Sequence, residues 1–214
     1  MLRDYLWLLL PLAMALLRLA TGKYVFSALV SLSCALIAII FGGWLIPAGR
    51  DYLLAAGLVV SVMGDYLLAH QKRKPMRFIA GVALFGAAHV IFIAYALCAF
   101  RFRPLALGFI VVLAALYAVY LKKRVLPGQP GAMKIALPCY ALVSLAGLFC
   151  ALCVSEATAR QRLLYILGIA CIVFSDTMIA EADFAHNKKA GKLILPTYYL
   201  CHILLAASAL SAPF

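Results

Sequence analysis

Two aspartates stand in stretches otherwise suited to lipid: Asp65 in SVMGDYLLA and Asp176 in IVFSDTMIAEADF. A charged side chain at the bilayer centre costs about 2.5–3.5 kcal/mol on insertion scales, and somewhat less toward the interface. Polar contacts between membrane helices return only about 0.6 kcal/mol on average, so adhesion alone accounts poorly for two such residues. Two carboxyl groups in one water-accessible pocket can instead hold their protons unequally, because like charges disfavour joint ionisation. Such a pair supplies an acid and a base together. His89, His202, Tyr198 and Tyr199 are the residues that could share the site. Taken singly, each histidine is equally well explained by a hydrogen-bonded place in the core. Glu181 and Asp183 lie nearer a connection, where solvation accounts for them. Asp65 and Asp176 are the expected catalytic residues.

The elements that must position them follow from composition. Of the 214 residues, 67% are hydrophobic and 12% charged, and the mean hydropathy is +1.07; no soluble domain of this length could bury so much apolar surface. Apolar runs predict eight membrane-spanning helices: Tyr5–Thr21, Tyr24–Phe41, Asp51–Ala69, Phe78–Phe100, Pro104–Leu121, Ala132–Val154, Leu163–Ala180 and Leu193–Ser211. The first run leads to Arg18 without a small-x-small cleavage site, so it reads as a helix and not as a signal peptide. The expected fold is all-α, a polytopic membrane helix bundle, with residues 1–214 as a single integral membrane domain. Helical spans without barrel-type alternation point to an inner or plasma membrane.

A net charge of +12 would suit a nucleic-acid binder, but its placement does not. Thirteen of the 19 Lys and Arg fall at odd-numbered connections: Arg18 and Lys23, Lys72 to Lys74 with Arg77, Lys122 to Arg124 with Lys134, and Lys188, Lys189 and Lys192. The other six are Arg3, Arg50, Arg101, Arg103, Arg160 and Arg162. The positive-inside bias therefore predicts odd connections in the cytoplasm and both termini extracytoplasmic. Topology alone explains these clusters; a sharper reading lets some of them hold a lipid phosphate. Neither nucleic acid nor an obligatory protein partner is implied. All seven cysteines lie in apolar runs as small buried hydrophobes, and the lone CxxC of Cys150 and Cys153 is weak evidence for metal or redox chemistry.

The two aspartate segments also resemble each other. Val62 opens VMGDYLLA and Val173 opens VFSDTMIA; Gly57 and Gly168 each precede their aspartate by eight residues. His89 lies 24 residues beyond Asp65 and His202 lies 26 beyond Asp176. This spacing predicts a parallel 4+4 repeat, with halves 1–100 and 101–214, about an axis normal to the membrane. Gly57, Ser61, Asp65 and Ala69 form one small-residue face on which helices can approach closely.

Gly64-Asp65, the histidine of AAHVIFIAY, FSDTMIA around Asp176 and TYYLCHIL in the last span together resemble the YhhN, or lysoplasmalogenase, family of eight-helix membrane proteins. Departures are Tyr24 after Lys23, where the family often has proline, and Phe92, where a tyrosine often follows the histidine, although Tyr95 remains. The resemblance implies hydrolysis of the vinyl ether of lysoplasmalogens to a fatty aldehyde and glycerophosphoethanolamine or glycerophosphocholine. That chemistry needs one protonated acid and one carboxylate, with no metal or organic cofactor. His89, Tyr95, Tyr198, Tyr199 and His202 would line the substrate site, and Lys23, Lys72 or Lys192 would meet the phosphate. The expected partners are the lysophospholipid substrate and membrane lipids. The residues also leave open a proton-coupled or lipid transporter, a metal-dependent lipid hydrolase that uses the same histidines and aspartates, and a lipid-binding scaffold.

Overall fold

A computed structural model describes residues 4–42, 50–70, 75–155 and 158–211. Arg3 and the cluster Lys72, Arg73 and Lys74 lie outside the described residues, as does the side chain of Arg50. Eight helices are long and apolar enough to cross a membrane. They are α1 (Leu9–Thr21, entered through a 3-10 turn, Asp4–Leu8), α2 (Tyr24–Gly42), α3 (Arg50–Ala69), α4 (Pro75–Leu97), α5 (Pro104–Tyr120), α6 (Gly131–Leu152), α7 (Ala159–Asp183) and α8 (Gly191–Leu210). All eight predicted spans are present.

Their ends differ from the hydropathy reading for identifiable reasons. Helix α4 begins at Pro75, three residues before the apolar run, because proline is tolerated in a first turn where no N–H partner exists. Helix α7 runs from Ala159 to Asp183, well beyond Leu163–Ala180 at both ends. Thr158 caps its start by accepting from the Gln161 amide at 3.1 Å, so the charged first turn with Arg160 and Arg162 is helical. After α5 the chain continues into a π-helical turn, Leu121–Val125, which carries Lys122, Lys123 and Arg124.

Helices α3 and α4 form one extensive pair, and α7 and α8 another. Helix α2 packs on α3 and α6 on α7; across the bundle α2 meets α8 and α4 meets α6. Helices α1 and α5 stand outside, α1 mainly against α2 and α5 against α6. The connections after α4 and α6 are tied together where the Arg101 amide donates to Cys153 at 2.8 Å and the Ser155 amide to Ala99 at 2.9 Å.

The tight α3–α4 crossing rests on glycines, though not wholly on the predicted face. A Cβ on Gly57 would come within 2.3 Å of the Phe92 ring. Gly64 and Gly81 face each other so closely that a Cβ on either would lie 3.3 Å from the other's carbonyl. Ser61 is buried and closes back onto Gly57 O at 2.9 Å, while Asp65 turns to the adjoining cavity.

Candidate active site

Asp65 on α3 and Asp176 on α7 line one polar cavity of about 210 Å³, together with Arg18, Tyr24, Ser27, Ser175, Asp183 and Tyr198. A second, almost wholly apolar cleft of about 130 Å³ lies between α4, α5, α6 and α7, walled by Phe78, Ile79, Val82, Met133, Leu137 and Phe184. Leu68, Phe85, Asp176 and Ile179 border both spaces. Asp176 therefore lies on the wall shared by a polar chamber and a hydrocarbon slot. A third void of about 10 Å³, the size of one water, lies among His89, Asp176, Ser61, Ser175 and Tyr198.

The surroundings of Asp176 are closed by hydrogen bonds. Its Oδ2 accepts from Ser144 Oγ on α6 at 3.0 Å and lies 3.2 Å from His89 Nε2 on α4. Ser144 Oγ is also 2.9 Å from His89 Nε2, and the Tyr140 ring meets the His89 imidazole edge-on at 5.5 Å. His89 Nδ1 faces the Phe85 carbonyl at 2.9 Å, and since a carbonyl can only accept, Nδ1 carries a hydrogen. That leaves Nε2 to face a carboxyl oxygen. Two lone pairs do not settle opposite each other at that distance, so one proton resides on the His89–Asp176 pair. The pair is neutral overall, as imidazole with carboxylic acid or imidazolium with carboxylate. Because Nδ1 is committed to the backbone and both partners share Nε2, Ser144, His89 and Asp176 do not form a relay of the serine-hydrolase kind.

Asp65 has a different environment. Its Oδ2 is buried without a hydrogen-bond partner, as are Tyr198 Oη, Ser31 Oγ and His202 Nε2. The Tyr198 hydroxyl adjoins both Asp65 and Ser31, and its ring packs edge-on against His202 at 4.2 Å. His202 Nδ1 donates to the Tyr198 carbonyl at 2.9 Å, as His89 does to Phe85. The Tyr199 hydroxyl is paired with Ser27 Oγ at 2.6 Å.

Of the residues singled out in the sequence, Asp65, Asp176, His89 and Tyr198 come together around these spaces. Tyr199 does not line the polar cavity but stands behind it, paired with Ser27 and beside Arg18 and Asp65, and His202 reaches Tyr198 from a fully buried position. Tyr95 is buried against Tyr165 with ring centroids 5.0 Å apart, and borders none of the three spaces. Lys23 and Lys192 are exposed and line none of these three spaces. Among the described residues, Arg18 is the only lysine or arginine bordering the polar cavity, where its Nε has no partner. Asp183, expected to be merely solvated, borders the same cavity. Glu181 is instead held by Arg124 Nη2 at 3.4 Å and Asn187 Nδ2 at 3.0 Å, which fastens the end of α7 to the turn after α5.

Sequence reasoning missed Ser144, Ser31, Tyr140 and the cavity role of Arg18. For the serines a signal existed: the pentapeptide ALVSL occurs twice, at 28–32 and 141–145, with Ser31 and Ser144 at its fourth position.

Comparison with known proteins finds named relatives of this chain. The protein named lysoplasmalogenase TMEM86B from Homo sapiens is 30% identical over 166 residues, covering 77% of this chain and 66% of its own length. The protein of that name from Rattus norvegicus is 28% identical over 190 residues, 87% of this chain and 74% of the relative. The Sus scrofa protein is 32% identical over 173 residues, 78% of this chain and 69% of the relative. This chain thus spans about two thirds of the human protein's length. No solved structure matches it. The YhhN family profile matches residues 22–209. By that match, which takes in both aspartates, helices α2 to α7 and nearly all of α8, the chain belongs to the YhhN family.

Proposed function

We propose that this protein is a membrane hydrolase that cleaves the vinyl ether bond of lysoplasmalogens, releasing a fatty aldehyde and a glycerophosphodiester of the ethanolamine or choline type. The observation that supports this reading is that Asp65 and Asp176 line one polar cavity, which adjoins an apolar cleft at Asp176. A one-chain ether lipid has the same division: polar glycerophosphate, then vinyl ether, then hydrocarbon. With the chain in the cleft, the vinyl ether lies at Asp176 and the glycerol toward Asp65. The relatives' name supports the same substrate class.

The chemistry follows from the proton count. The His89–Asp176 pair delivers its proton to the alkene carbon remote from the ether oxygen. The π electrons form that C–H bond, and the neighbouring carbon becomes an oxocarbenium ion. Water adds its oxygen to this carbon and loses a proton to a carboxylate. The hemiacetal then collapses, breaking the C–O bond to glycerol; the glycerol oxygen gains a proton and the aldehyde is freed. One water is consumed, and the protons return to the pair of acids. Arg18 is placed to face the phosphate, as a guanidinium forks onto phosphate oxygens.

The packing supports the parallel 4+4 repeat. Replacing each helix of the first half by its counterpart in the second turns α3–α4 into α7–α8, α2–α3 into α6–α7, α1–α2 into α5–α6 and α2–α8 into α6–α4, all of which are packed pairs. In this reading the odd connections face the cytoplasm of an inner or plasma membrane and both termini lie outside, as the basic residues require. Mass spectrometry of the purified protein incubated with alkenyl, alkyl and acyl lysophospholipids tests the reaction. Aldehyde from the alkenyl lipid alone is the expected result; glycerophosphodiester from the acyl lipid, or no product from any, refutes it.

A further inference from the structure

The closed constellation of Ser144, His89 and Asp176 has a counterpart in the other half. Ser31 occupies the place of Ser144 in the repeated ALVSL, Asp65 that of Asp176, and His202 that of His89. The details repeat as well. Each histidine holds the carbonyl four residues before it through Nδ1. Each aspartate-bearing helix presses a glycine against the next helix in the chain, at the residue three beyond the histidine that serves the other aspartate, Gly57 on Phe92 and Gly168 on Leu205. Where the first constellation is fully hydrogen-bonded, the second is open. Ser31 Oγ, Asp65 Oδ2, His202 Nε2 and Tyr198 Oη have no hydrogen-bond partner within 3.5 Å, although the Tyr198 hydroxyl adjoins Ser31 and Asp65, Ser31 and His202 are fully buried and Tyr198 is 7% exposed. Among the places where the two halves differ, Tyr198 stands where the first has Phe85, each being the residue whose carbonyl the histidine holds.

Buried polar groups without partners are costly, by about 1–3 kcal/mol each, unless something satisfies them. Here the four atoms are two hydroxyl donors, Ser31 and Tyr198, and two acceptors, the Asp65 carboxylate and the lone pair of His202 Nε2. Two donors and two acceptors are the complement of a water molecule. Asp65 and Tyr198 both line the cavity of about 210 Å³, which has room for water, and Tyr198 also borders the water-sized void of about 10 Å³ beside His89 and Asp176. We propose that the Ser31–Asp65–Tyr198–His202 group is the site that holds the attacking water: Tyr198 and Ser31 donate to its oxygen, Asp65 takes its proton, and His202 fixes its second hydrogen. The duplicated constellation is thereby divided, one copy giving the proton and the other presenting water. This assignment rests on the vinyl ether reading.

The test is turnover of an alkenyl lysophospholipid in heavy water, with mass analysis of both aldehyde and recovered substrate. In the wild type, addition of water outruns reversal, so the aldehyde gains deuterium and the recovered lipid gains none. In Ser31→Ala and Tyr198→Phe, aldehyde release should fall roughly tenfold or more. The oxocarbenium ion should then return to alkene, leaving deuterium on the vinyl carbon of unreacted lipid. Ser144→Ala should slow release without such exchange. Release near the wild-type rate in both Ser31→Ala and Tyr198→Phe overturns the assignment. So does a raised KM at unchanged kcat without exchange, which would give these groups to a hydroxyl of the substrate. Absence of aldehyde from the wild type defeats the vinyl ether reading itself, and this assignment with it.

Discussion

Replacing Asp176 by asparagine separates adhesion from chemistry. The carboxyl Oδ2 now meets Ser144 at 3.0 Å and His89 Nε2 at 3.2 Å. An amide nitrogen in that position can donate to the free lone pair of Nε2 and to the Ser144 oxygen, so the helices keep their polar contacts. Interhelical hydrogen bonds in membranes average about 0.6 kcal/mol, and exchanging one set for another should change stability by less than about 1 kcal/mol. The amide cannot give up a proton, and losing a positioned general acid costs about 100-fold to 10,000-fold in rate. Asp176→Asn should therefore unfold within a few degrees of the wild type in detergent, yet release aldehyde at least about 100-fold more slowly. The assay is aldehyde trapping from an alkenyl lysophospholipid, run beside a thermal unfolding curve on the same preparation. An unchanged turnover would mean that Asp176 only joins α4, α6 and α7; a collapse of stability alongside activity would mean that the substitution cannot speak for catalysis.

Arg18→Gln should raise KM for a lysophospholipid by about 10-fold to 100-fold, the worth of one charged hydrogen bond, and leave an alkenylglycerol without phosphate unaffected; equal loss on both substrates would remove Arg18 from the phosphate. Gly57→Ala drives a methyl into the Phe92 ring, which is 1% exposed and has nowhere to move, so unfolding should come at a lower temperature by the equivalent of about 1–3 kcal/mol. Gly108→Ala on α5, with no neighbour within 4 Å, is the control and should leave the melting temperature unchanged or slightly raised. Glu181→Gln breaks an ion pair whose arginine is 59% exposed and should cost under about 1 kcal/mol with turnover preserved; lost turnover would bring Glu181 into the mechanism.

The spans were legible because hydrocarbon thickness sets a minimum apolar length, and every run of the chain that meets it is a helix. Their ends were not, since Arg160, Arg162 and Asp183 lie on α7 but lower its hydropathy, and only the Thr158 cap reveals that the helix continues. Asp65 and Asp176 stood out because a carboxyl in lipid demands an explanation. Serine demands none: its hydroxyl can return to its own helix, as Ser61 does to Gly57. Ser144 becomes meaningful only when α4 and α7 bring His89 and Asp176 to it. The lysines misled in the opposite direction. Charge at a helix end reports topology, and Lys23 and Lys192 are exposed, whereas Arg18 borders the cavity from inside α1.

Phe85 and Tyr198 differ by a single oxygen atom, and in the duplicated reading that atom keeps the two halves from being interchangeable. An ancestor with identical halves would have had two equal basins and no rule for which served as donor. In that reading one hydroxylated ring gives the molecule a direction, so that a lipid docked head toward one half and tail past the other would meet each partner in the order the bond-breaking requires.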